Sequence, residues 1–147
     1  IVHVPKEGVV FAGDVIFRQC TPMGWVGSYE KWFHCLDLIV QLSPEVIVPG
    51  HGPLCGIEGA IEMKAYLQYV RDESKKCFDA ELSLVEAAKR IEFGPYGEWR
   101  APARLYMNVE RAYRELRNDP PDAPWNTPAT FDAIYQVAKA KGIEVEF

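Results

Sequence analysis

An α/β fold with a short mixed sheet and flanking helices is predicted by three features that follow one another along the chain. Two apolar, β-branched runs, Ile1 to Val4 and Val9 to Gly13, are joined by "PKEG", whose Pro and Gly suit a tight turn, so the pair reads as a β-hairpin. An amphipathic helical segment comes next. Then "VIVPGHGP", residues 46 to 53, is a continuous apolar run closed by Pro and Gly, as expected of a strand covered on both faces. Strand, helix, strand is a βαβ unit, which sets its two strands parallel in one sheet.

The remaining elements follow from capping and periodicity. After the loop "TPMGWVG", Ser28 caps a helix whose apolar face carries Tyr29, Trp32, Phe33, Leu36, Ile39 and Val40 at spacings of three and four. A long helix runs from Ile57 to about Phe78, with Ile61, Tyr66, Leu67, Val70 and Phe78 expected inside. Ser83 followed by Glu86 is a capping box that starts a new helix, and Pro102 opens another, in which Leu105, Val109, Ala112 and Leu116 repeat at helical spacing. "NDPPDAPWNTP", residues 118 to 128, holds four prolines and is expected to be a linker or extended arm. A short helix around Phe131 to Lys141 and a strand-like "GIEVEF" close the chain, with Ile143, Val145 and Phe147 facing one way. Residues 1–117 and 118–147 are therefore taken as a main unit and a tail.

Composition narrows the function. A chain of 147 residues, 48% apolar and 25% charged, without low-complexity tracts, has the make-up of an ordinary globular domain. No apolar run approaches the roughly 18 residues that cross a bilayer, and the opening residues lack a signal peptide's pattern. A cytoplasmic protein without a membrane partner is expected. The net charge of -5, with cations dispersed among carboxylates, disfavours nucleic acid as a partner. Four cysteines without a C-x-x-C pair read as reduced thiols. Because Ile1 stands directly inside a strand-like run, the chain is expected to be cut from something longer.

Asp14 and His51 carry the chemical interest. Each follows a strand-like run at a glycine, and parallel strands end at the same sheet edge, so both side chains are expected at one rim. A carboxylate and an imidazole suit zinc, iron or manganese, and a carboxylate can bridge two metals. Taken singly, Asp14 could equally cap a loop and His51 satisfy a turn.

The order "VPKEGVVFAGDVIF", amphipathic helix, "PEVIVPGHGP" resembles the C-terminal half of the metallo-β-lactamase-fold hydrolases. The likeness extends loosely through "AYLQYV", "LSLVEAAKRI" and "RLYMNVERAYREL", or residues 1 to 117. It implies half of a four-layered αββα sandwich in which Asp14 is the metal-bridging carboxylate and His51 the late histidine on the second metal. In an intact relative the metals activate water for attack on an ester, thioester, lactam or phosphoester of a small-molecule substrate. The family's H-x-H-x-D-H signature is absent, and His3 on the first strand and His34 on a polar helix face do not replace it. The resemblance thus implies an incomplete dinuclear site that binds zinc weakly, completed by a missing N-terminal half or held within a homo-oligomer. A non-catalytic binding or assembly module is the alternative. Cys20 and Cys55 are near enough in sequence to be minor ligand candidates, though small buried thiols are the commoner outcome. Tyr96 and Trp99 of "GPYGEW" either wall a pocket or simply pack.

Overall fold

The computed structural model describes residues 1–120 and 122–146. Strand β1 (Val2–Val4) pairs antiparallel with β2 (Val9–Phe17), and β2 pairs parallel with β3 (Val46–His51), giving a mixed sheet in the order β1-β2-β3. The hairpin connection is a short 3-10 turn, Pro5–Glu7, closed by Gly8 in the left-handed region. Five helices follow the pattern of caps: α1 (Tyr29–Gln41), α2 (Ile57–Asp79), α3 (Leu84–Arg90), α4 (Leu105–Leu116) and α5 (Thr127–Lys141). Ser28 accepts a hydrogen bond from the Lys31 amide at the head of α1, and Ser83 and Glu86 form the reciprocal box at the head of α3. None of the described helices is long and apolar enough to cross a membrane.

The crossover helix α1 lies on one face of the sheet and sends Tyr29, Leu36 and Ile39 into the core. Val10 of β2 and its neighbour Ile47 of β3 are both fully buried on that face. The opposite face is different. Phe11 stays 48% exposed and its cross-strand partner Val2 61% exposed, and Val46 and Val48 are only half-buried. β3 is therefore covered on one face, not two as its unbroken apolar run predicts.

Helix α2 turns its buried row through Ala60, Met63, Leu67, Val70 and Cys77 toward α4 and α1. Ile61 is one step out of that phase and is 54% exposed, which corrects its expected inward position. Helix α4 is central and buried on nearly every side from Leu105 to Arg114. Its polar residues hold the loop between β2 and α1: Asn108 donates to the Pro22 carbonyl at 2.9 Å, and Arg111 donates to the carbonyls of Gly24 at 3.1 Å and Trp25 at 2.6 Å.

The tail folds back on this body. Trp125 meets Trp25 edge-to-face at 5.1 Å, donates from Nε1 to the Trp25 carbonyl at 2.9 Å, and lies under the Arg114 guanidinium at 4.3 Å. Helix α5 begins earlier than its apolar pattern suggests because Asn126 caps it, accepting from the Ala129 amide, and it packs on α3 and α4. The expected terminal strand does not form. Residues 143–146 have no sheet partner, yet Ile143 and Val145 still turn toward the core while Glu144 and Glu146 face out. Phe147 lies outside the described residues.

Candidate metal centre

Asp14 lies within β2 rather than beyond its end. Gly13 takes a φ of +53°, the β2–β3 register shifts on both sides of it, and the strand then continues to Phe17. That irregularity is a β-bulge, which turns one residue out of the pleat without ending the strand. Asp14 is the residue turned out. Trp32 of α1 fixes the next step by donating from Nε1 to the Val15 carbonyl at 2.8 Å.

His51 is the last residue of β3, opposite Phe17, and its ring stacks on the Phe17 ring at 4.7 Å with an interplanar angle of 12°. Its carbonyl accepts from the Arg18 amide at 2.8 Å. Stacking fixes the imidazole plane, and the backbone bond fixes its root.

The glycines around His51 make room for this arrangement. A Cβ on Gly50 would overlap the Asp14 carboxylate and come within 2.7 Å of the Gly13 carbonyl carbon. A Cβ on Gly52 would overlap the Arg18 carbonyl oxygen, and φ there is +92°. Gly50 is required by the close approach of the Asp14 side chain and the Gly13 backbone, and Gly52 by the Arg18 carbonyl and by its own positive φ.

The result is that Asp14 Oδ1 stands 3.5 Å from His51 Nε2, the two side chains being 70% and 44% exposed. Two ligands of one tetrahedral zinc, each about 2 Å from the ion, are about 3.3 Å apart by simple geometry. The observed separation fits that shape. Among the described residues no group of three or more His, Cys, Asp or Glu side chains gathers to hold a metal, so the pair alone would supply two ligands.

Two hollows flank the pair. His51 forms part of a cleft of about 750 Å³ that also includes Arg18, Trp99 and Arg104, while Asp14 borders a more apolar groove of about 330 Å³ with Trp25, Val26 and Trp32. Trp99 is both a cleft wall and a packed ring, lying 5.0 Å from Tyr66 and 4.8 Å from Tyr96, whereas Tyr96 serves packing. Arg18 is paired with Glu62 of α2.

The minor candidates do not join the pair. Cys55 bridges back to Ile47, its thiol faces Gly59 of α2, and burial pushes its pKa up, which disfavours the thiolate a metal would need. Cys20 is buried in the cleft wall against Arg104. His3 is half-buried on β1 and His34 exposed on α1. Arg104 is a cleft residue that the sequence reading passes over, because "APARLY" presents it only as part of a helix start.

Residues 1–51 match the model described as the Metallo-beta-lactamase superfamily. No curated protein matches the chain. The matched segment contains the whole βαβ unit and ends on His51, so the similarity to the metallo-β-lactamase superfamily covers Asp14, His51 and the crossover helix between them.

Proposed function

We propose that the chain carries one side of a dinuclear metal site of a metal-dependent hydrolase, with Asp14 as a bridging carboxylate and His51 as an imidazole ligand. The observation that carries this reading is the 3.5 Å separation of Asp14 Oδ1 and His51 Nε2 at one sheet rim. Zinc is the favoured ion, with iron or manganese as relatives in the same ligand chemistry. When bound, metal in such a site supplies Lewis-acid polarisation of the scissile bond and a water acidified to near neutrality. The chain's own residues do the rest of the local work. The Phe17 ring holds the imidazole plane, the Gly13 bulge aims the carboxylate, and Gly50 and Gly52 keep side chains out of the space between the strands.

Catalytic zinc sites commonly use three protein ligands and water, and a dinuclear site needs more. Two ligands from one chain correspond to weak zinc binding and poor turnover by the isolated chain. The half-sandwich reading completes the site with an H-x-H-x-D-H segment from a second polypeptide or from a longer form of this one, docked on the outer sheet face. That exposed apolar face favours a second reading as well, a non-catalytic assembly module that uses the same surface for a partner. Zinc titration by calorimetry separates the two. Binding that is lost in both Asp14→Ala and His51→Ala supports the half-site, and zinc binding equal in wild type and both variants eliminates it.

A further inference from the structure

The cleft beside His51 is lined by three arginines and by Glu62, Glu98 and Glu146, yet one of the arginines is buried without an ion-pair partner. Of its three arginines, Arg18 is paired with Glu62, and Arg100 is 81% exposed and 3.8 Å from Glu146. Arg104 differs from both. It is only 6% exposed, and among the described residues no carboxylate lies within ion-pairing distance of it. Nη1 reaches the Thr21 carbonyl at 3.4 Å and the Cys20 sulfur at 3.5 Å, while Nε has no acceptor at all. A buried guanidinium is normally paired or fully hydrogen-bonded, because removing its charge from water is strongly unfavourable. Two long contacts to neutral acceptors do not meet that requirement.

We propose that this cleft binds the carboxylate or phosphate group of an anionic ligand, with Arg104 as its counter-charge. Guanidinium presents a planar fork of donors that matches either group. Because His51 lines the same cleft, the ligand's anionic end and the His51 imidazole face one shared space. That makes an acidic small molecule the substrate class. This assignment as a substrate rests on the hydrolase reading, whereas the anion site itself needs no metal.

The test therefore uses metal-free chain in excess chelator, titrated with inorganic phosphate and separately with acetate at constant ionic strength, and followed by tryptophan fluorescence and melting temperature. Saturable binding of at least one anion is expected, weakened about tenfold or more in Arg104→Gln, the loss of one charge-assisted hydrogen bond. Arg104→Lys should recover part of it. Preference for phosphate indicates a phosphate-bearing ligand and preference for acetate a carboxylate-bearing one. Wild-type responses that never saturate, or equal binding by Arg104→Gln, would overturn the proposal. Should Arg104→Gln fail to fold, the side-chain Nε–H signals of isotope-labelled arginine in the wild type decide. A shift of an exchange-protected Nε–H on adding anion supports the site, and no shift in any protected signal sinks it. Intact anion binding together with zinc-indifferent Asp14→Ala would remove the metal reading and leave this one standing.

Discussion

At the scale of single residues, the candidate site is built from two exposed side chains on a closely fitted backbone, and substitutions should separate these roles. Asp14→Ala is expected to lower zinc affinity by about tenfold or more while changing folding stability by less than about 0.5 kcal/mol, since the side chain is exposed. Calorimetric titration and urea unfolding read the two effects. Gly50→Ala should do the reverse of a surface change. Its Cβ would overlap the Asp14 carboxylate and crowd Gly13, so a loss of about 1–3 kcal/mol is expected along with weakened zinc binding. An unchanged unfolding midpoint for Gly50→Ala would mean the strands can part freely. The paired placement of Asp14 and His51 was legible from the two glycine-flanked runs. Their exact setting was not, because a glycine in the middle of a strand looks like its end when it is in fact a bulge. Arg104 was illegible, since nothing local distinguishes a buried arginine from the many that lie on helix surfaces.

Among elements, α4 departs furthest from its sequence pattern. Leu105, Val109 and Ala112 do face inward, as their spacing indicates, but so do Asn108, Glu110, Arg111 and Arg114. The apolar spacing announces the helix but cannot show that its polar side is buried too, because those polar side chains are satisfied by partners distant in sequence. One such partner links α4 to the head of α1: Glu115 accepts from the Tyr29 amide at 2.8 Å. Burial raises the Glu115 pKa above the ordinary carboxylate value, with the Tyr29 amide bond acting against that rise. The folded state thus prefers the protonated acid. That contribution is fully present below the unfolded pKa and is lost as pH rises through the higher folded value. Glu115→Gln keeps an acceptor for the Tyr29 amide without the charge. Its stability relative to wild type should therefore increase from about pH 4 to neutrality, as measured by denaturant unfolding at both ends. A constant difference across that range would show that Glu115 does not titrate anomalously.

For the whole molecule, the sheet is apolar on both faces but packed on only one. Val2 and Phe11 lie exposed on the outer side, a surface suited to a second sheet or a second copy of the chain. Association to a dimer or larger is expected in light scattering at high micromolar concentration, and Phe11→Asp should shift it to monomer. A monomeric wild type would remove this expectation. The sequence showed the apolar run of β3 but could not say which face is covered, since that depends on what lies outside it. The tail is better resolved. Trp125→Ala should cost about 1–3 kcal/mol by removing a half-buried ring, two cation–π contacts and a hydrogen bond. Chemical unfolding measures it.

The Trp125 contact also bears on the order in which the chain acquires its shape during synthesis. Trp25 stands on the loop that walls the groove beside Asp14, and the ring that pins that loop comes from the far end of the sequence. The βαβ unit can form once His51 has left the ribosome, but the loop gains this anchor only when the Pro-rich segment beyond residue 118 emerges. On a ribosome-bound nascent chain, the strand pairing that brings Asp14 to His51 should therefore precede closure of the adjoining wall. Both hollows would mature after that pairing, since the cleft beside His51 is itself lined by residues as late as Glu146.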